Sequence, residues 1–210
     1  MKKIDVLFEN EEILVINKPA GVAVQGGAGV KHPLDKELPL QLGYPVYLVH
    51  RLDMDTSGIM IVAKNPLAAS IWTKKIGSKQ VKKEYTAVCI GSFSQKSGTI
   101  RTSVVQHGSE KPAVTHYKVI KEEQVVIPAA DDSQELVLIL STVNLLLETG
   151  RMHQIRIHLS SIGCPIAGDD KHGNFKLNKL VRKAGIKNLQ LVASKLTVPF
   201  ENGEMKTFEL

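Results

Sequence analysis

His50-Arg51-Leu52-Asp53-Met54-Asp55-Thr56-Ser57-Gly58 is a polar nonapeptide held between two apolar runs, Tyr47-Leu48-Val49 before it and Ile59-Met60-Ile61-Val62-Ala63-Lys64 after it. Both runs are short and β-branched, which predicts two buried strands joined by the nonapeptide. An arginine and two carboxylates beside a core are costly unless they are paired or at work. So dense a group of reactive side chains makes this connection the first candidate for chemistry.

Working outward, strands are expected at Ile13–Ile16, stopped by Asn17-Lys18-Pro19, and at Glu84–Ile90, Thr99–Val105, Thr115–Ile120, Leu136–Leu140, Leu189–Val198 and Met205–Leu210. Gly26-Gly27-Ala28-Gly29 opens a loop running through Pro33 and Pro39; no Lys-Ser/Thr and no helix follow, so it reads as a plain loop and not a phosphate cradle. Pro66 starts a helix where proline is best tolerated, with Leu67, Ile71, Lys74 and Lys75 at helical spacing. Many adjacent strands with few helices predict an α+β fold whose mixed, largely antiparallel central sheet is flanked by helices and loops. No low-complexity linker interrupts the chain, so a single domain over 1–210 is expected, and nothing demands more than a monomer.

With 43% hydrophobic residues and a mean hydropathy of −0.04, the composition is that of a soluble globular protein. Asp5 and Glu9 break the apolar segment a signal peptide needs, and no run is long enough to span a membrane. Cys89 and Cys164 lack CxxC spacing, which favours a reducing, cytoplasmic setting with both as small buried side chains. The net charge is +6, and it is unevenly placed. Lys74, Lys75, Lys79, Lys82 and Lys83 form one basic stretch, and Lys171, Lys176, Lys179, Arg182, Lys183 and Lys187 a second, while acid gathers at Glu122, Glu123, Asp131, Asp132 and Glu135. That asymmetry suits a polyanionic partner, nucleic acid first.

A second polar corner follows Leu145-Leu146-Leu147, running from Glu148-Thr149-Gly150-Arg151-Met152-His153-Gln154-Ile155-Arg156 to Ile157-His158-Leu159. Its apolar residues fit a strand (Ile155, Ile157, Leu159) or one helix face (Ile155, Leu159, Ile162). The helix is preferred, with Thr149 as N-cap and Gly163-Cys164-Pro165 as stop, and it sets His153 and Arg156 one turn apart. His153 and His158 are five apart rather than the four that zinc helices use, so a metal site is not expected.

These motifs together resemble the RluA-type pseudouridine synthases. The nonapeptide with Ala63-Lys64 resembles their signature, Lys83-Glu84-Tyr85-Thr86-Ala87 their second motif, and Thr149–His158 their third. Ile13–Gly21 and Gly163–Asp169 match in the same order. The resemblance implies that uridine in RNA is converted to its C-glycoside isomer, without cofactor or metal. It assigns Asp53 as nucleophile, Tyr85 as the aromatic on the uracil, and Arg156 as the basic partner of Asp53. Arg51 is implied to fill the gap left by the flipped base. Thr56, Arg151, His153 and Gln154 join Arg51 in substrate binding, while Asp55, Thr56 and Ser57 support the loop by local hydrogen bonds. The implied partner is a stem-loop of RNA, large-subunit (23S) ribosomal RNA first and transfer RNA second. Many such proteins carry an N-terminal S4-like RNA-binding domain, for which these residues leave no room. Val192 and His172 stand where His and Tyr are common in the family.

The same residues bear on two other classes. Asp53-Met54-Asp55 after an apolar strand is also similar to haloacid-dehalogenase-type phosphatases, and Gly168-Asp169-Asp170 to their late acidic motif; but Gly173 occupies the position where a second acid is needed. A non-catalytic RNA-binding protein would have no use for Asp53, Tyr85 and Arg156 together.

Overall fold

The computed structural model describes residues 3–106, 108–127, 136–200 and 203–210. Asp131, Asp132 and Glu135 of the acidic group lie outside them. In chain order the elements are β1 (Asp5–Glu9), β2 (Ile13–Lys18), α1 (Leu34–Leu42), β3 (Tyr47–Leu48), β4 (Ser57–Ala63) and α2 (Pro66–Gly77). There follow β5 (Lys82–Ile90), β6 (Ser97–Ile100), β7 (Val104–Gln106), β8 (Ser109–Lys111), β9 (Thr115–Ile127) and β10 (Leu136–Leu147). The chain closes with α3 (Gln154–Ser161), α4 (Phe175–Lys183), β11 (Leu191–Pro199) and β12 (Met205–Glu209). The fold is α+β, as expected, and it divides into two compact units, Met1–Lys83 with Val192–Leu210, and Glu84–Leu191. No helix among the described residues is long and apolar enough to cross a membrane.

In the first unit β4 is the buried centre: every residue after Ser57 is inaccessible, which the unbroken apolar run requires. β2 pairs antiparallel along β4, β3 pairs with its end at Val62 and Ala63, and β11 runs parallel to its start at Ser57 and Gly58. Asn65 caps α2 by accepting from the Ala68 N–H. α2 buries Ala68 and Trp72, each one position on from Leu67 and Ile71, whose spacing marked the helix; Leu67 is exposed. Trp72 packs with Ile13, Val15, Ile59, Ile61, Leu196 and Val198.

α1 corrects the expectation of a loop through Pro33 and Pro39. Leu34 and Leu38, four apart, are both fully buried, and Asp35 and Glu37 favour the positive first turn. The free N–H groups of Leu34 and Asp35 donate to the carbonyls of Ala23 and Val24. Burial on one face thus outweighs the hydrogen bond that Pro39 cannot make.

The second unit carries an antiparallel sheet in the order β5-β10-β9-β6. The expected strand Thr99–Val105 is split: β6 ends at Ile100, and β7 pairs instead with β8 in a separate hairpin. The strand expected from Leu189 starts at Leu191. Helix α4 was not anticipated; Leu177 and Val181 dock it on Ile90, Leu140, Val125 and Leu138. Cys89 and Cys164 are buried free thiols, as expected, and burial pushes both upward in pKa.

Gly58 closes the candidate loop where no other residue fits. Its φ is 116°, and a Cβ there would stand 2.3 Å from the Ala193 carbonyl oxygen and 2.6 Å from the Ala193 nitrogen. Left-handed strain and overpacking each cost about 1–3 kcal/mol. Gly58→Ala is therefore expected to lower the thermal midpoint by roughly 10 °C, at about 2–4 °C per kcal/mol for a chain of this size. Calorimetry checks this, and an unchanged midpoint would contradict the close approach.

Candidate active site

The nonapeptide is the connection of the β3–β4 hairpin, and the backbone of its centre is fastened from below. The Thr56 N–H donates to the Asp53 carbonyl at 3.2 Å, closing a turn on Met54 and Asp55. The Met54 carbonyl accepts from the Gly21 N–H at 2.9 Å and from Lys18 Nζ at 3.0 Å. Lys18 also donates to the carbonyls of Pro19 (3.0 Å) and Val22 (2.8 Å), so its three N–H donors meet three acceptors. The side chain is fully buried. Burial pushes its pKa down to about 8, while the charges of Asp55 and Asp53 resist the fall. A buried cation therefore lies beneath the turn that carries both carboxylates.

His50 holds the start of the loop, its Nε2 accepting from the Ile61 N–H at 2.9 Å. Burial, and then the positive charge of Lys83, push its pKa down to about 3, so the ring is neutral at physiological pH. Leu52 is buried, Asp53 is half-buried, and Arg51, Met54 and Asp55 are exposed. Thr56 departs from expectation: it is 2% exposed, and its hydroxyl has no hydrogen-bond partner. It therefore supports the loop by packing and not by a side-chain hydrogen bond.

The Glu148–Leu159 corner is a helix, as preferred, but its start differs. Thr149 is not the N-cap; that place falls to His153, at φ 56°, with no side-chain cap. Gln154 explains the shift. Its Oε1 accepts from Thr149 Oγ1 at 2.7 Å and from the Arg151 N–H at 3.0 Å. Its Nε2 donates to the Val114 carbonyl and to Thr115 Oγ1, both at 3.0 Å. All four of its hydrogen-bonding positions are taken, so Gln154 shapes the corner and has no capacity left for a substrate. Buried His158 extends this network, with Nδ1 on Thr115 Oγ1 and Nε2 on the Thr102 carbonyl.

Arg156 and Asp169 form a buried, two-pronged ion pair. Nε donates to Oδ2 at 2.8 Å and Nη2 to Oδ1 at 2.7 Å, with side-chain exposures of 6% and 1%. Asp169 Oδ1 also accepts from the N–H groups of Lys171 (3.0 Å) and His172 (2.9 Å). Burial alone would raise the pKa of Asp169; the hydrogen bonds from Arg156, the His172 N–H, the Arg156 charge and the Lys171 N–H overcome it and hold the carboxyl below its usual range. The His153 and His172 rings meet edge to face, Nδ1 to Nε2 at 2.8 Å. Tyr85, on β5 opposite Leu145, is 8% exposed. Arg151 is exposed, with Nε on the Pro112 carbonyl.

Arg51, Asp53 and Thr56 thus share one loop of the first unit. Arg151, His153, Gln154 and Arg156 gather at the start of α3 in the second, where Tyr85 also stands. Sequence reasoning missed Lys18 and Asp169 as organisers. A lysine between an apolar strand and a proline was a signal for the first; Asp169 closed a stretch resembling the family and also resembled a phosphatase acid, but neither likeness gave it a partner. Lys75 and Lys83 are not free members of the basic stretch: Lys75 donates to the Pro199 carbonyl and Lys83 is largely enclosed. Among the described residues no group of three or more His, Cys, Asp or Glu is arranged to hold a metal.

Residues 12–161 match the model of a family described as RNA pseudouridylate synthase. Ribosomal large subunit pseudouridine synthase C of Rickettsia bellii is 34% identical over 82% of this chain and 58% of its own length. Ribosomal large subunit pseudouridine synthase D of Yersinia pestis is 35% identical over 81% of this chain and 53% of its own. The chain spans little more than half the length of these curated relatives. A solved structure, human RNA pseudouridylate synthase domain containing 1, superposes with a TM-score of 0.77 at 24% identity, covering 100% of this chain and 83% of the other; at that identity the likeness concerns the fold.

Proposed function

Because this chain belongs to the RNA pseudouridylate synthase family, we propose that it isomerises uridine to pseudouridine in RNA, with Asp53 as its nucleophile. The observation that carries this reading is the family match over 12–161, a stretch that includes Asp53, Tyr85 and Arg156. The names of the two bacterial relatives favour large-subunit ribosomal RNA over transfer RNA as substrate.

The target base leaves its stack at a cost of a few kcal/mol, and the planar cation of exposed Arg51 fills the vacancy. The N1–C1′ bond then breaks. The Asp53 carboxylate, presented on a turn tied to buried Lys18, traps or stabilises the sugar cation. The freed base turns and C5 joins C1′, releasing the Asp53 carboxylate; the C5 proton is then lost while N1 takes one up, and Tyr85 stacks on the uracil and assists the loss. Arg156, held in place by its two hydrogen bonds to Asp169, supplies the basic group of the reaction. A single working carboxylate without a water-activating partner suits a reaction in which hydrolysis would waste the base.

The test is direct: the purified protein and a large-subunit ribosomal RNA transcript are incubated in monovalent salt, with and without EDTA, and pseudouridine is mapped at nucleotide resolution. Pseudouridine at a defined site, formed equally in both arms, is expected. Strict dependence on a divalent ion would contradict the mechanism, and product in transfer RNA alone would move the substrate assignment.

A further inference from the structure

The second basic stretch is unused by the site, and the structure gives it a form the sequence did not reveal. Helix α4 turns Leu177, Asn178 and Val181 inward and leaves Phe175, Lys176, Lys179 and Lys183 exposed. At about 100° per residue these four fall within roughly 100° of arc, and Lys176 to Lys183 spans about 10 Å along the axis. Lys171 and Lys187 are exposed at the two ends. None of these five lysines makes an ion pair among the described residues; the nearby Asp170 is taken by Arg182. Phe175 is 67% exposed, with Lys179 Nζ over its ring at 4.8 Å from the centroid.

We infer that the outward face of α4 is a docking platform for a single-stranded segment of RNA, with phosphates on Lys176, Lys179 and Lys183 and one base stacked on Phe175. Unpaired cations beside an exposed aromatic ring are what a flexible polyanion with π-faces recognises. Three lysines spread over about 10 Å of the axis can meet successive phosphates of a flexible strand. An anionic membrane fits less well, because the apolar side of the helix is already packed in the core and leaves Phe175 as the one exposed large apolar side chain of α4. The platform is also held in register with the corner that carries Arg156. Asn178, 1% exposed, accepts from the Gly168 N–H at 3.1 Å and donates to the Asp169 carbonyl at 2.8 Å. RNA bound on α4 is thereby placed relative to Arg156 through the Asp169 loop.

The inference rests on the proposed RNA isomerase reading, and the test separates the two. Binding of a labelled, short, mixed-sequence single-stranded RNA is titrated by fluorescence anisotropy over a range of salt, for the parent and for K176Q/K179Q/K183Q and F175A, with circular dichroism confirming the helix content. Each lost phosphate contact removes about 0.7 from the slope of log K against log salt, so the triple variant should flatten it by about 2. F175A should weaken single-stranded binding about ten-fold with the slope unchanged, and leave binding of a blunt RNA duplex as it was. Unaltered affinity and slope in the triple variant would overturn the platform. So would loss only of sedimentation with phosphatidylserine vesicles, which would make α4 a membrane contact. Absence of pseudouridine formation by the parent protein would instead strike the isomerase reading, whatever α4 binds.

Discussion

Asp53→Asn is expected to lower pseudouridine formation by about 10⁴-fold or more, the loss typical when a nucleophile that works as a unit with its neighbours is removed. The exchange replaces one carboxylate oxygen by an amide and keeps the shape, so the turn closed by the Asp53 carbonyl and Thr56 N–H survives. Lys18 loses one of the two negative charges that favour its ammonium form but keeps its three carbonyl acceptors. Stability should therefore change by no more than about 1 kcal/mol. RNA binding should persist, since a negative charge facing a polyanion has been removed. Single-turnover assays with anisotropy on the same RNA check both halves. Activity within ten-fold of the parent would refute the assignment of Asp53, and lost binding would make it a structural residue.

Asp169→Ala should be the most destabilising change near the site, by about 3–5 kcal/mol, because it leaves the buried Arg156 guanidinium without its partner. It also strands the N–H groups of Lys171 and His172. The pH dependence has a definite sign. The folded pKa of Asp169 is depressed, so its contribution is present above the unfolded value of about 3.9 and is lost as pH falls below it through the folded value. The stability gap between parent and variant should thus be full at neutral pH and shrink in acid. A second variant separates structure from chemistry. Arg156→Met with Asp169→Leu replaces the ion pair by apolar groups, which costs little or even stabilises. Recovered stability with activity still absent supports a working role for Arg156; recovered activity would make the pair purely structural. Urea titrations at several pH values supply the measurement.

Much of this was legible in the chain. The apolar runs around His50–Gly58 gave a hairpin because β-branched residues at strand spacing need burial on both faces, and β4 is buried throughout. Pro66 marked α2, since proline fits only the first turn. The Glu148–Leu159 corner was ambiguous because Ile155, Ile157 and Leu159 satisfy both periods. The four hydrogen bonds of Gln154 settle its start, and three of their partners, Val114, Thr115 and Thr149, precede it by up to forty residues. Helix α1 was hidden by Pro39, and α4 by its many lysines and few apolar residues.

By itself the sequence pointed to most of the strands, the family and the residues proposed for chemistry, because each depends on local order: period, turn residues and fixed motif spacing. The tertiary structure alone decided what holds those residues. The Lys18 ammonium under Met54, the Arg156–Asp169 pair and the anchoring of α4 by Asn178 join groups separated along the chain. Burial creates these bonds: a charge withdrawn from water must find partners wherever the fold brings them, and no local pattern names which carbonyl or carboxylate that will be.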